Sequence, residues 1–259
     1  MASLPDQPTL EFHVRQVPRG QASGYAFTNL RVGAEVTVSG PLGNAYLREN
    51  HRGPLLALAG GSGLAPIKCI VEAALRADPA RPIQCYVGVR DERDVYLETH
   101  LRELAQRHPN FRVEIVLSQP SAPTSRRTGT VSEAVSLDFV GLDGFKAYVA
   151  GPPAMVESAQ RELVSKGLAT RDIHADAFYS QAEDAFNLRA VFAPPPDQLR
   201  FRRGELSHLR IQVREFLFLE RRDVDDLNVR RLLRRIECGG RHLRILRHGR
   251  DSEQTLLLG

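Results

Sequence analysis

Short apolar runs alternate with segments of helical periodicity through the middle of the chain. Runs that are apolar over most of their length predict strands buried on both faces of a sheet, and they occupy residues 55–59, 83–89, 111–117, 145–150 and 173–178. Apolar residues recur on one helical face over residues 64–77, 95–107 and 153–166. Strands and helices that alternate in this way predict an α/β fold with a doubly wound parallel sheet.

The first 50 residues follow a different pattern. Residues 9–16 and 32–38 alternate apolar and polar side chains, as half-buried strands do. Residues 20–24 and 40–43 are rich in glycine, with serine or proline beside it, and favour turns. We therefore predict a partial antiparallel β domain, too short to be complete, ahead of the α/β domain.

The last part of the chain has a different composition. Residues 187–259 contain sixteen arginines, no lysine and ten acidic residues, a balance of +6 in a chain whose net charge is +4. Three prolines at 194–196 interrupt regular structure, and weak apolar periodicity over residues 213–219 and 227–236 is compatible with short helices. Two hypotheses remain open: a basic appendage that docks an acidic partner or nucleic acid, or an out-of-frame extension of an arginine-codon-rich gene. Paired arginines without lysine favour the second, so nucleic-acid binding is not predicted.

Composition excludes several classes of protein. No apolar run approaches the roughly 18 residues that a membrane span needs, and the N-terminus lacks the pattern of a secretory signal, which predicts a cytoplasmic protein without a membrane partner. Cys69, Cys85 and Cys238 lie far apart, which excludes an iron–sulfur cluster held by four closely spaced thiolates. The histidines show no metal-ligand spacing, so we predict no metal site.

A glycine-rich segment at residues 60–66 separates the first buried strand from the first helix. Glycines let the backbone approach a phosphate, which the free N–H groups and the positive end of the helix then hold. The segment differs from Gly-x-Gly-x-x-Gly because Pro66 stands at the third glycine, and a turn without a ligand is the alternative. The residues predicted to bind a nucleotide phosphate are Gly60, Gly61, Ser62, Gly63, Ala65 and Pro66.

A second glycine-containing turn follows the fourth predicted strand and leads into a helix. In a doubly wound sheet both turns lie at the carboxyl edge, where ligands bind. Two such turns at one edge predict a dinucleotide cleft, although a proline-started helix that only packs is the alternative. The residues assigned to this side of the cleft are Gly151, Pro152, Pro153 and Met155.

Three motifs in order, at residues 40–43, 60–66 and 151–155, resemble the signature of the ferredoxin–NADP reductase superfamily. The likeness covers about residues 4–186 and is greatest to the reductase components of aromatic-ring-hydroxylating dioxygenases, of the naphthalene dioxygenase reductase type. It implies the C-terminal part of an FAD-binding barrel over residues 1–50 and an NAD(P)-binding domain over residues 51–186.

The resemblance also implies an activity, in which a hydride passes from NADH, or NADPH, to FAD. Single electrons then pass to a ferredoxin or the iron–sulfur centre of a multicomponent oxygenase in aromatic hydrocarbon catabolism. The chemistry belongs to the cofactors and needs no catalytic side chain, which agrees with the lack of any triad or carboxylate pair in the sequence. The alternative is a catalytically silent NAD(P)-binding fragment that no longer holds flavin.

The family's flavin contacts are carried over to four residues. Val14 and Arg15 match positions that face the flavin dinucleotide, and Ser23 matches a residue that binds its phosphate. Phe178 matches an aromatic residue near the flavin ring. The alternatives are an exposed strand residue for Arg15 and a core phenylalanine for Phe178.

The sequence departs from the family in ways that change these expectations. The family's Arg-x-Tyr-Ser flavin motif precedes the strand that begins here near Thr9, so we expect a chain that lacks the main contacts to the flavin ring. Ala150 stands where many relatives have a cysteine, which predicts a weaker nicotinamide contact. NADH is the favoured donor. NADPH remains the alternative, because Arg90 or the pair Arg126 and Arg127 could bind its 2′-phosphate.

Overall fold

The computed structural model describes residues 1–34, 36 and 43–179, and it gives backbone strands alone within residues 215–257. One sheet runs through the described α/β part. Its strands are β1 (Leu55–Gly60), β2 (Ile83–Val89), β3 (Phe111–Leu117), β4 (Arg127–Thr128), β5 (Lys146–Gly151) and β6 (Ile173–Ala177). The order across the sheet is β4-β3-β2-β1-β5-β6, and every neighbouring pair is parallel.

The described residues form five α-helices: α1 (Gln21–Thr28), α2 (Leu64–Ala77), α3 (Glu98–Arg107), α4 (Val131–Asp138) and α5 (Pro153–Ser165). Helices α2 and α3 cover one face of the sheet, where Ala57 and Tyr148 point. Helices α4 and α5 cover the other face, where Leu58 and Val149 point. Because both faces are covered, every residue of β1 is buried, as its continuous apolar run predicts. The doubly wound parallel sheet is therefore confirmed.

Helix boundaries follow local signals. Helix α2 has the predicted bounds, whereas α3 begins three residues later than predicted because Leu97, at its N-cap, adopts a left-handed conformation with φ of 58°. Helix α4 was not predicted. Its sequence signal is a capping box, in which the Thr130 hydroxyl accepts from the Glu133 N–H at 3.2 Å and the Glu133 carboxylate accepts from the Thr130 N–H at 2.6 Å.

The N-terminal segment does not form the strands that its alternation predicts. Residues 9–16 contain no strand, and α1 occupies the place of the turn expected at residues 20–24. A strand needs a neighbour to pair its backbone groups, and residues 1–34 supply none. Instead the Ala2 N–H donates to the Glu11 carbonyl at 2.7 Å. The prediction of a strand at residues 9–16 is therefore wrong. Most of the segments at 32–38 and 40–43 lies outside the described residues.

Further along the chain, the structure gives backbone strands, and one of them lies where the sequence suggested a short helix. They are β7 (Glu215–Phe218), β8 (Glu237–Cys238), β9 (Arg241–His242), β10 (Arg244–Arg247) and β11 (Glu253–Leu257). Strand β11 pairs antiparallel with β7 and β10, and β8 pairs antiparallel with β9. The helix suggested at residues 213–219 is therefore replaced by a strand, since consecutive aromatic and aliphatic residues favour extended structure. The helix suggested at residues 227–236 lies outside the described residues.

Candidate functional site

Two glycine-containing turns meet at the carboxyl edge of the sheet. One follows β1 and passes through a 3-10 turn, Gly61–Gly63, into α2, and the other follows β5 and leads through Pro152 into α5. Strands β1 and β5 are neighbours, although β2, β3 and β4 come between them in sequence. The chain thus reverses its direction across the sheet at β1. Open parallel sheets bind ligands outside the strand ends at such a point.

The two turns pack backbone against backbone. A Cβ on Gly63 would lie 2.7 Å from the Gly151 nitrogen and overlap the Ala150 carbonyl group. A Cβ on Gly60 would lie 2.5 Å from the Met155 sulfur, and one on Gly151 would lie 2.9 Å from the Gly60 Cα. These three glycines therefore hold the turns together. The sequence assigned Gly60 and Gly63 to a phosphate and Gly151 to the other side of the cleft, and in the structure all three lie in the contact between β1, β5 and α2.

Part of the first turn remains open to a ligand. Gly61 and Ser62 are partly exposed, whereas Ala65 and Pro66 are buried in the first turn of α2. Neither the 3-10 turn nor α2 has a side-chain cap. The first N–H groups of a helix have no partner within the helix, so an uncapped end is suited to an anion. An anion would reach this turn at Gly61 and Ser62.

The second turn offers an apolar surface beside the first. Pro152 is exposed, and Pro153 and Met155 are half-buried. Helix α5 has no side-chain cap either, and a proline occupies its first turn, where the missing N–H costs no hydrogen bond. Ala150 is fully buried in the core on the α2 side, so its side chain is not part of the open surface. The weaker nicotinamide contact expected at Ala150 stays a prediction.

A buried polar network, absent from the sequence predictions, supports the first turn. The Tyr96 hydroxyl donates to the Gly61 carbonyl at 3.3 Å, and its oxygen lies 3.1 Å from the His13 Nδ1. The His13 Nε2 lies 3.0 Å from a carboxylate oxygen of Glu11. Burial lowers the pKa of His13, and the adjacent Glu11 opposes that shift. The network ties the N-terminal segment to the phosphate turn through contacts between residues that are far apart in sequence.

Lys68, on α2, continues this network beneath the N-terminal segment. Its ammonium group lies 3.4 Å from a carboxylate oxygen of Glu11 and 3.3 Å from a carboxylate oxygen of Glu72, and it donates to the Ala2 carbonyl at 3.2 Å. The Glu72 carboxylate also lies 2.6 Å from the His100 Nε2. Lys68 and Glu11 are both buried, and a buried charge is stable only when an opposite charge compensates for the lost hydration. Each side chain therefore stabilises the other.

Two of the residues assigned to flavin lie at the same edge. The nearest Arg15 atom, Nη1, would lie 3.9 Å from a Cβ on Gly61, which places an exposed guanidinium beside the phosphate turn. The Phe178 N–H donates to the Gly151 carbonyl at 2.8 Å, and the Phe178 side chain is exposed rather than part of the core. A cation and an aromatic ring therefore flank the two turns.

The other two residues assigned to flavin are used differently. The Ser23 hydroxyl oxygen accepts from the Val17 N–H at 3.1 Å and is buried at α1. It therefore stabilises the bend before that helix, and a phosphate at this hydroxyl would have to replace a backbone contact. Val14 is half-buried in a segment that pairs with no strand. Nothing in the described residues brings Val14 or Ser23 to the two turns.

Arg126 and Arg127, considered above as partners for the 2′-phosphate of NADPH, each form ion pairs with two carboxylates. Arg126 pairs with Glu92 and Glu98, and Arg127 pairs with Glu114 and Asp138. These hydrogen bonds raise the pKa of both arginines, and Arg127 lowers the pKa of Asp138. Arg90 is exposed and forms no ion pair with a described residue. The positive charges of Arg126 and Arg127 are thus already paired with carboxylates, which leaves Arg90 as the unpaired one of the three arginines in the part of the chain that the structure describes.

The described residues hold neither a cluster of three or more His, Cys, Asp or Glu side chains suited to a metal ion nor a helix long and apolar enough to cross a bilayer. Cys85 is fully buried, and burial raises the pKa of its thiol to about 12. Cys69 donates to the Ser3 carbonyl at 3.1 Å, and burial raises its pKa as well. Neither thiol is therefore activated as a nucleophile.

Comparison with known proteins gives a consistent result. Residues 57–161 match the family model of the oxidoreductase NAD-binding domain. Over 179 residues, 69% of this chain, the sequence is 46% identical to the ferredoxin–NAD(P)+ reductase component of the naphthalene 1,2-dioxygenase/salicylate 5-hydroxylase systems of a Ralstonia species. It is 41% identical over the same length to the corresponding component of the Pseudomonas putida naphthalene 1,2-dioxygenase system. The chain spans 55% of the length of each relative.

A solved structure supports the same comparison. The crystal structure of a cytochrome P450 reductase from Amycolatopsis superposes with a TM-score of 0.60 at 37% identity. The superposition covers 64% of this chain and 50% of that one. The family model's match, residues 57–161, includes both turns.

Proposed function

The α/β part of this chain is an NAD-binding domain of the ferredoxin reductase family, and from that premise we propose that the protein is an electron-transfer oxidoreductase. In this proposal NADH, or NADPH, binds across the ends of β1 and β5 and delivers a hydride to FAD. Electrons then leave one at a time to a ferredoxin or an oxygenase component that acts in aromatic hydrocarbon catabolism. A cytoplasmic location is part of the proposal.

The observation that carries the proposal is the contact between the two turns. Gly63 and the Ala150 carbonyl approach so closely that no side chain fits between them. This contact joins the uncapped N-terminus of α2 to the second turn. A site suited to an anion and an apolar surface therefore lie side by side. A dinucleotide needs both, because its pyrophosphate is charged and its nicotinamide ring is flat and largely apolar.

The chain's own residues would bind and orient the nucleotide. The backbone at Gly61 and Ser62, with the N-terminal end of α2, would hold the pyrophosphate, and the exposed guanidinium of Arg15 would add a positive charge. Pro152, Pro153 and Met155 would form the surface beside the nicotinamide. No side chain here moves a proton, because a hydride transfer between two cofactors needs position and exclusion of water alone.

The flavin is assigned to the exposed side of the same edge. When bound, FAD accepts two electrons as a hydride and releases them singly, which links a nicotinamide donor to a one-electron acceptor. Two observations support contacts from Arg15 and Phe178: Arg15 is a cation near Gly61, and Phe178 is an exposed aromatic residue whose N–H donates to the Gly151 carbonyl. Val14 and Ser23 would contribute only if the segment before α1 were rearranged.

The binding part of the proposal is tested with two variants at one position. Gly61 has φ of 51°, so Gly61→Ala and Gly61→Asp share the backbone strain, and a Cβ there points toward space bounded by Arg15 alone. Only the aspartate places a negative charge where the pyrophosphate is assigned. We expect Gly61→Asp to bind NADH at least about tenfold more weakly than Gly61→Ala, measured by NADH fluorescence.

Thermal unfolding of the two variants serves as the control. Equal unfolding temperatures with unequal NADH affinity would support a phosphate at Gly61. Equal NADH affinity in the two variants would contradict the assignment of the pyrophosphate to this turn.

A further inference from the structure

His13 joins the N-terminal segment to the turn after β1 through both of its ring nitrogens. Its Nε2 lies 3.0 Å from a carboxylate oxygen of Glu11, and its Nδ1 lies 3.1 Å from the hydroxyl oxygen of Tyr96. The imidazole is almost completely buried, with 1% of its side chain exposed. A neutral imidazole carries a proton on one nitrogen alone, so the protonation of this ring determines which neighbour receives a donor.

The hydroxyl of Tyr96 has a single proton and two neighbours that can accept it. One is the Gly61 carbonyl, at 3.3 Å, and the other is the His13 Nδ1, at 3.1 Å, when that nitrogen is unprotonated. The Gly61 carbonyl also accepts from the N–H of Leu64, the first residue of α2. A second donor at this carbonyl therefore acts where the glycine turn enters α2, which is the place assigned to the pyrophosphate.

Glu11 sets the position of the proton on a neutral His13. One of its carboxylate oxygens faces the His13 Nε2 at 3.0 Å, and the other lies 3.4 Å from the buried ammonium group of Lys68. Two acceptors that faced each other at 3.0 Å would repel, so the neutral ring donates from Nε2. Its Nδ1 is then an acceptor that competes with Gly61 for the Tyr96 proton. A protonated ring donates from both nitrogens and leaves the Tyr96 proton to Gly61.

The groups that face His13 carry charges of both signs. Glu11, on the same segment, favours the protonated ring, whereas Lys68 on α2 and the N-terminal amine disfavour it. Tyr96, from the segment after β2, is buried, and its hydroxyl stays protonated. Burial is the largest effect and lowers the pKa of His13 below its usual value of 6.5. The ring is therefore neutral at pH 7.5 and takes up a proton in more acidic solution.

We propose that His13 is a positioning residue for the nucleotide, because its proton directs the Tyr96 hydroxyl to the Gly61 carbonyl and tightens the turn that holds the pyrophosphate. This inference rests on the proposed function, since it needs a nucleotide at that turn. Binding and protonation are linked, so a nucleotide that prefers the protonated form also strengthens proton uptake by His13. The affinity for NADH should consequently rise as the pH falls.

The test measures the dissociation constant of NADH by nucleotide fluorescence, at pH 7.5 and pH 5.5, in the full chain and three variants. His13→Gln keeps a donor for Glu11 at the position of Nε2 but presents no titratable acceptor to Tyr96. Tyr96→Phe removes the hydroxyl itself. His100→Gln is the matched control, because His100 reaches the same network through Glu72 rather than through Tyr96. Thermal unfolding at both pH values verifies that each protein is folded.

We expect the wild type and His100→Gln to bind NADH about threefold more tightly at pH 5.5 than at pH 7.5. His13→Gln should bind at both pH values as tightly as the wild type does at pH 5.5, and Tyr96→Phe should bind weakly at both. Equal affinities of the wild type and His13→Gln at both pH values would overturn the role of His13 and leave the proposed function intact. A pH dependence that persists in Tyr96→Phe would do the same. Failure of the wild type to bind NADH at either pH would reject the proposed function and this inference with it.

Discussion

The hydroxyl of Tyr96 donates to the carbonyl of Gly61 at 3.3 Å, which joins a buried side chain beyond β2 to the turn that is proposed to hold a phosphate. Tyr96 is nearly fully buried, and burial raises the pKa of its hydroxyl well above the usual range. The hydroxyl therefore stays protonated and keeps its donor at any physiological pH. The contact fixes the carbonyl end of the peptide between Gly61 and Ser62, within the turn that is proposed to hold the phosphate.

Replacing Tyr96 with phenylalanine tests this support. The ring still fills its place in the core, but the Gly61 carbonyl and the His13 Nδ1 each lose a partner. We expect a loss of about 1 kcal/mol in the free energy of unfolding and weaker NADH binding. Chemical denaturation and NADH fluorescence measure the two effects. Unchanged NADH affinity would show that the Gly61 turn is held without Tyr96.

A substitution of Gly63 tests the contact between the two turns. In Gly63→Ala the new methyl group overlaps the Ala150 carbonyl, so the start of α2 must move away from β5. We expect a destabilisation of about 1–3 kcal/mol, together with weaker NADH binding. Gly24→Ala is the control, since a Cβ there meets nothing within 4 Å and alanine is favoured within α1. A Gly63→Ala protein as stable as Gly24→Ala would contradict the close packing of the turns.

Lys68 and Arg76 form a matched pair of cations on α2, and both bind acidic residues of the N-terminal segment. Lys68 is buried against Glu11, whereas the pair of Arg76 with Asp6 has both side chains more than half exposed. Lys68→Met removes the cation from the buried Glu11 and the partly buried Glu72 and should cost about 3–5 kcal/mol. Arg76→Met should cost less than about 1 kcal/mol. Equal losses, measured by chemical denaturation, would mean that the N-terminal segment does not bury Lys68 in solution.

His174 on β6 gives the protein a dependence on pH. Burial, then the charges of Arg48 and Lys146, lower its pKa from 6.5 to about 4, and its Nε2 has no hydrogen-bond partner among the described residues. The unfolded chain takes up this proton first, so stability that is full above pH 6.5 is lost as the pH falls toward 4. The pKa values of His13 and His51 are also lowered by burial, so both residues likewise reduce stability as the pH falls.

Replacing His174 with leucine removes that proton uptake. We expect the stability of His174→Leu relative to wild type to rise steadily as the pH is lowered from 6.5 to 4, measured by denaturation at several pH values. The remaining slope belongs to the other histidines and to the carboxylates. A difference between the two proteins that stays constant with pH would exclude His174 as a source of the acid sensitivity.

Local patterns predicted the α/β part well, because its elements are specified by nearby residues. The continuous apolar run of β1 needs only to be buried, and the glycines after it permit the turn into α2. The family resemblance drawn from three motifs is confirmed by the match over residues 57–161 and by the relatives. The capping box at Thr130 and Glu133 was a usable signal for α4 that the periodicity alone did not reveal.

The remaining features depend on partners that the local sequence does not specify. Alternation over residues 9–16 predicts a strand only if another strand pairs with it, and here the segment packs through Glu11 and His13 instead. The contact of Tyr96 with Gly61 spans 35 positions, and Arg126 reaches Glu92 across 34. Gly63 looked like a phosphate glycine because its role in packing depends on the position of β5, which lies almost 90 residues further along the chain.

The most direct test of the proposed electron transfer is a visible absorbance spectrum of the purified chain with FAD, before and after NADH is added without oxygen. The account predicts a bound flavin spectrum that bleaches when NADH is added, because the nucleotide at the two turns reduces the flavin. A flavin that stays bound and oxidised in the presence of NADH would contradict it. Binding of NADH without any retained flavin would also contradict electron transfer by this chain and would identify it as a nucleotide-binding fragment.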